Sequence, residues 1–224
     1  MTSERLLYWR WIIANGWAES AGLGTTFAIG TSLAPSLDGA TAASVIVAGA
    51  VTAVLLGILL EGVVVGYAQE RALRPQLPRL PPRGWTVATA VGAGLAWTLG
   101  MLPSTVMALS EAPGDMPPAE PGPIVQYGLA CALGAATGPI LAAAQWTVLR
   151  NHVKRATQWL FANALAWAVG MPLIFFGMDR VPWGSHPALV LPAIYVVCGL
   201  AGLAVGAIHG WVLIRLVRSP VVVT

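Results

Sequence analysis

Between residues 42 and 68 the chain runs for 27 positions with one charged residue, Glu61. Wound as a helix at 1.5 Å per residue, such a run covers ~40 Å, more than the ~30 Å of hydrocarbon in a bilayer. Five further runs of the same kind, 9–32, 84–108, 124–149, 157–178 and 188–215, are separated by short charged clusters. Only 9% of the 224 residues are charged, against about a quarter in soluble domains, so there is too little polar surface to face water all round. The runs do not alternate apolar and polar residues as barrel strands do. The expectation is an all-α integral membrane protein of six transmembrane helices. Asn15, Glu19 and Ser20 interrupt any short apolar core near the N-terminus, so the first run reads as a retained span and not as a cleaved leader.

Charge distribution predicts the topology. Arg5 and Arg10 precede the first run, Arg71, Arg74, Arg79 and Arg83 lie between the second and third, Arg150, Lys154 and Arg155 between the fourth and fifth, and Arg215 and Arg218 end the sixth. Of the 12 basic residues only Arg180 falls on the other side, where Asp38, Glu111, Asp115, Glu120 and Asp179 lie. By the positive-inside rule both termini are cytoplasmic, and the expected location is a cell's inner membrane. Each basic cluster abuts a span end, so anionic lipid headgroups are the expected partner and nucleic acid is not. Cys131 and Cys198 both sit in apolar runs and read as small packing residues, not as a disulfide.

The opening stretch returns later in the chain. WIIANGWAESAG at 11–22 matches WLFANALAWAVG at 159–170, and WTVATAVGAG starts at Trp85, so Trp11, Trp85 and Trp159 are 74 residues apart both times. The ends of the even runs echo one another as QERALR, QWTVLR and GWVLIR, which pairs Gln69 with Gln145 and aligns Arg74, Arg150 and Arg215. A unit of two spans brings each copy back to the same membrane side, which implies three parallel helical-hairpin repeats, about 1–80, 81–155 and 156–224, in a pseudo-three-fold bundle forming one domain. Trp9, Trp11, Trp85, Trp146, Trp159 and Trp211 all lie near the basic span ends and read as an interfacial aromatic belt.

Residues Asn15, Glu19, Gly22, Thr26 and Gly30 form one stripe of the first helix, repeated in the fifth as Asn163, Trp167, Gly170 and Gly177. In lipid, such a stripe turns inward, because small residues admit a neighbour's backbone and polar groups need partners. Gly62 and Gly66 in the second run, Gly134 and Gly138 in the fourth, and Gly199, Gly202 and Gly206 in the sixth are the expected close-packing positions. Pro139 and Pro172 are expected to kink their helices. The stretch 103–124, rich in proline and acid, reads as a long loop over the outer face, a lid or docking segment.

Glu19 stands nine residues beyond Arg10 and Glu61 ten before Arg71, so both carboxylates lie ~13–15 Å deep, at matching depth on adjacent helices. A lone charge at that depth costs ~2.5–3.5 kcal/mol on a lipid face, so both should face the bundle. If they meet, they cannot both carry charge in a poor dielectric, and the pair holds a proton or a cation. With Asn15, Thr26 and Asn163 as pore-facing polar groups, this points to an ion channel or proton-coupled small-solute transporter. The alternative is a non-catalytic subunit of a larger membrane complex or a homo-oligomer, with lipid, or less readily a pigment or haem on His209, between hairpins. No phosphate loop, His-Glu-x-x-His helix, nucleophile elbow or metal-spaced cysteine pair occurs, which weighs against an enzyme.

Overall fold

The computed structural model describes residues 2–37, 42–110 and 121–221. It holds six helices and, among the described residues, no strand: α1 (Ser3–Leu37), α2 (Ala43–Leu73), α3 (Gly84–Ser110), α4 (Pro123–Leu149), α5 (Gln158–Met178) and α6 (Pro187–Leu216). Asp38, Glu111, Asp115 and Glu120 lie outside the described residues. So do residues 111–120 of the expected outer loop, but 103–110 is not loop at all: α3 continues through Pro103 to Ser110, and α4 begins at Pro123.

Five of the six helices, α2 to α6, are long and apolar enough to cross a bilayer, which fits a multi-pass membrane protein. The expectation of six such spans is corrected at α1. Its 35 residues reach ~52 Å, ample for a bilayer, but Glu4, Arg5, Arg10, Asn15 and Glu19 lower its hydropathy. Arg5 and Arg10 are exposed at the basic end, but the polar positions deeper in α1 are not on its outer face. Asn15, Glu19, Gly22 and Thr26 are buried, Gly30 is exposed, and Ile13 and Trp17 point outward. A helix that is apolar outside and polar inside is what a bundle in lipid requires, and whole-helix hydropathy averages the two faces together.

Each helix packs against its two neighbours in sequence, and α6 closes against α1, so among the described residues the six backbones form a closed up-and-down ring across which side chains alone meet. The more extensive interfaces are α1–α6, α2–α3 and α4–α5. Glycine makes them close. A methyl on Gly202 would lie 2.6 Å from the Asn15 carbonyl oxygen, one on Gly138 2.5 Å from the Asn163 carbonyl oxygen, and one on Gly62 2.8 Å from Ala90 Cα. Gly66, Gly134, Gly199 and Gly206 face Thr86, Trp167, Ser20 and Ile12 in the same way.

The helices run without interruption through Pro139 and Pro172. In α2 the winding changes: it widens into a π-helical segment over Gly57–Gly62. Beyond it, Ala43–Leu56 contains no buried residue, and in α3 none is buried after Gly94. The halves of α2 and α3 away from the basic end, called outer with no side of a membrane implied, therefore stand off from the ring, while the basic end is densely packed around Trp11, Trp85, Trp159, Leu73, Leu149 and Leu213.

At that basic end the connections are tied down. Glu70 accepts from the Arg74 guanidinium, from the Arg83 and Thr86 backbone N–H groups and from the Thr86 hydroxyl, placing an anion on the first turn of α3. Lys154 N–H donates to the Ser219 carbonyl and Val221 N–H to that of His152, so the C-terminal stretch pairs with the α4–α5 connection. Arg218 makes a bidentate ion pair with Glu4.

Candidate functional site

Three tryptophans close the ring. Trp11, Trp85 and Trp159 have no exposed surface, and their rings meet pairwise at centroid distances of 5.8–6.2 Å in edge-to-face contacts. This corrects the belt reading for these three. Trp9 and Trp211 do face outward, with the Arg215 guanidinium over the Trp211 ring.

Each buried indole N–H is satisfied in the same manner, by a polar side chain on the preceding helix of the ring. Trp85 donates to Gln69 (2.9 Å), Trp159 to Gln145 (2.8 Å) and Trp11 to His209 Nδ1 (2.8 Å). Gln69 donates onward to Asn15 (2.8 Å), and Gln145 to Thr89 (2.9 Å) and Gln69 (3.1 Å). His209 is thus a buried network member packed against Trp11 and Trp159, with Nδ1 occupied. With Nδ1 accepting, the proton of the neutral ring sits on Nε2.

About two helical turns further along lie the carboxylates. Glu19 is eight residues from Trp11 and Glu61 eight from Gln69, so each stands ~12 Å beyond the indole layer. Both are buried, at 3% and 8% exposure, and both line one small cavity of about 10 Å³ with Asn15, Gln69, Thr89 and His209. That is room for about one water. Glu61 accepts the Trp97 indole N–H at 2.6 Å, whereas Glu19 Oε2 has no hydrogen-bond partner. The ion pairs among the described residues are Arg74–Glu70 and Arg218–Glu4, so no cationic side chain reaches either carboxylate.

Glu61 also borders a second, larger cavity of about 270 Å³ on the outer side, lined by Phe27, Trp97, Met101, Leu133, Trp167 and Phe175 among others. Beyond it, a groove of about 1200 Å³ runs between the outer halves of α1, α2 and α3 and shares Phe27, Trp97 and Met101 with it. The interior is therefore apolar from the outer side down to Glu61, acidic at that level, and filled by indoles and amides below.

The remaining residues of the stripe fall at different places. Asn15 borders the small cavity, donates to its own helix at the Trp11 carbonyl and accepts from Gln69. Thr26 is buried on the groove side with its hydroxyl on the Gly22 carbonyl. Asn163 is buried, donates to the Trp159 carbonyl and backs onto Gly138. Sequence reasoning placed Thr89 with Ala93 and Gly100 on the inward stripe of the third span, but did not single out Gln69, Gln145 or Trp97 as interior groups. The signal for the first two was available: Gly62, Gln69 and Leu73 recur at unchanged spacing as Gly138, Gln145 and Leu149 and as Gly202, His209 and Leu213.

No protein-family model, curated protein or solved structure matches this chain.

Proposed function

We propose that the protein is a proton- or cation-coupled transporter of a small solute, in which Glu19 and Glu61 hold the coupling ion and the indole layer is the closed gate on the cytoplasmic side. The observation that carries the reading is the unpartnered Glu19 Oε2, buried in the same small cavity as Glu61 with no counter-charge. Two neighbouring carboxylates in such surroundings require a proton or a bound cation between them. An ionisable group kept within a membrane bundle is costly, and the uses that justify it are relays and ion paths. The cavity above Glu61 and the packed indoles below it favour a carrier over an open channel, because Trp11, Trp85 and Trp159 leave no lumen.

Three hairpin repeats, α1–α2, α3–α4 and α5–α6, account for this arrangement most simply. Support comes from the 74-residue tryptophan spacing, the recurring Gly, Gln/His and Leu positions and the cyclic pattern of indole donation. In this reading the acidic pair is the departure from symmetry: the positions matching Glu19 are Ala93 and Trp167. The basic end, with both termini, faces the cytoplasm by the positive-inside rule, in an inner membrane.

The test is flux in liposomes containing the purified protein, a trapped pH-sensitive dye and an imposed potassium gradient. Wild type is expected to move protons or cations faster than empty liposomes, and the Glu19→Gln, Glu61→Gln double variant to lose that flux at unchanged thermal stability. Equal rates in wild type, double variant and empty liposomes would refute ion coupling. A second reading, a non-catalytic subunit of a larger membrane complex, draws on the unburied outer halves of α2 and α3. It predicts that leucine substitutions along Ala43–Leu56 leave the isolated protein folded but abolish co-purification of a partner.

A further inference from the structure

The cavity above Glu61 has a chemistry that specifies its occupant. Its walls are apolar and aromatic, with Phe27, Trp97, Trp167 and Phe175 among them, and its acidic member is Glu61 at the level where the small cavity begins. The two spaces share Glu61, Ala93, Leu141 and Trp167, so a group at the inner end of the larger one stands at Glu61, with Glu19 in the small space directly beyond. No lysine or arginine lines either space, which disfavours an anionic ligand. The Thr137 hydroxyl is turned to the Leu133 carbonyl and the Trp97 N–H to Glu61, while Glu19 Oε2 still needs a donor. A cationic head at the carboxylates would supply donor and counter-charge together, and indole and phenyl faces attract cations as well as hydrocarbon.

Access to the cavity is lateral. The π segment Gly57–Gly62 marks where α2 leaves the ring, and the groove opened by its outer half joins the cavity at Phe27, Trp97 and Met101. The groove is lined by Gly30, Val45, Gly49, Ala53 and Leu56 among others, so a ligand arriving through it meets mostly hydrocarbon and small residues.

We propose that the cavity between Glu61 and Met101 binds a small apolar monocation, an organic ammonium whose head sits at the Glu61–Glu19 pair and whose body lies against Trp97 and Trp167. At about 270 Å³ the space lies at the small end of ligand pockets, suited to one or two rings and not to a lipid chain pair. The inference rests on the transport reading for the role of the carboxylates, but binding and flux are separate measurements.

The experiment uses wild-type protein in discs of zwitterionic lipid and two radiolabelled probes of the same shape, 2-naphthylmethylamine and 2-naphthylmethanol, in equilibrium binding. The expected result is saturable one-to-one binding with the amine favoured by about tenfold or more, the scale of one charge-assisted contact. Glu61→Gln should reduce that preference to within about twofold. Gly100 lines the cavity and has open space where a side chain would stand, so Gly100→Leu should weaken both probes without changing the unfolding temperature. Equal affinities for amine and alcohol in wild type, or a preference that survives Glu61→Gln, would overturn the proposal, as would binding unaffected by Gly100→Leu. Coupled flux without amine binding would sink this inference and leave the transport reading standing, while amine binding without flux would do the reverse.

Discussion

Removing the Gln145 side chain is the perturbation whose consequence the structure specifies most fully. Gln145 has no exposed surface, accepts the Trp159 indole N–H at 2.8 Å and donates to Gln69 and Thr89. Gln145→Leu keeps the volume roughly but leaves a fully buried indole N–H without an acceptor, a penalty of ~1–3 kcal/mol. Thr89 and Gln69 lose less, since the Thr89 hydroxyl still donates to the Trp85 carbonyl and Gln69 still accepts from Trp85. Trp159→Phe makes the converse change, freeing an amide oxygen. With both substitutions together neither partner is orphaned, so the double variant should be more stable than the sum of the singles by ~1 kcal/mol. That value lies in the upper part of the range measured for membrane-protein pairs, average ~0.6 and maximum ~1.7 kcal/mol, as suits a bond with no access to water. The assay is reversible unfolding in mixed micelles titrated with denaturing detergent and followed by helical circular dichroism. Trp211→Phe, on the outer surface, serves as the control that should add independently. Strict additivity of Gln145→Leu and Trp159→Phe, within ~0.3 kcal/mol, would refute the inward-facing network.

Three further outcomes follow from the packing and the ion pairs. Gly138→Leu and Gly202→Leu should each destabilise by ~1–3 kcal/mol or more, because backbone carbonyls stand where the side chain begins. Gly128→Ala, with nothing within reach, should be nearly neutral in the same detergent-unfolding assay. Glu70→Ala should cost ~2–3 kcal/mol and raise hydrogen exchange at Arg83 and Thr86, whose N–H groups it leaves without the carboxylate. The Arg218 hydrogen bond and charge hold the Glu4 carboxyl, which lies before the apolar run, below the ordinary carboxylate range. A depressed value means that this link is present above that range and is lost as pH falls through the depressed value. Exchange protection of residues 217–221 should therefore decline at acid pH in wild type and be low throughout in Glu4→Gln.

How far the sequence foretold this arrangement depends on the residue. Helix bounds were legible because apolar run length alone sets them, to within about two residues for α3 to α6 and less well for α1 and α2, whose ends extend beyond their apolar runs to Ser3, Leu37 and Leu73. Matching depth for Glu19 and Glu61 followed from counting, since Glu19 lies on a regular stretch measured from Arg10 and Glu61 only two residues beyond the regular stretch that leads to Arg71. The direction of Trp11, Trp85 and Trp159 did not follow: a tryptophan one turn inside a span end satisfies a lipid interface and a bundle axis equally well, and periodicity separates them only once the inward stripe is fixed by Asn15 and Glu19. His209 was obscured by a one-residue offset. Aligning the even spans on arginine puts Gly210 opposite Gln69 and Gln145, whereas the structure hydrogen-bonds Trp11 to the residue before it. The π segment around Glu61 had only Gly57 and Gly62 as cues, and glycine marks close packing in these helices at many other places.

The proposed carrier requires a one-ended cavity, open from the outer side down to Glu61 and sealed by the indole layer. The most direct measurement is thiol reactivity from each face, in sealed vesicles of known orientation, with a small cationic thiosulfonate and Cys131 and Cys198 replaced by alanine. Cysteines at Gly100 and Glu61 should react from the outer face alone, and one at Thr89, within the amide network, from neither. Modification of the Glu61 position from the face bearing the termini, at a rate matching the outer face, would contradict it.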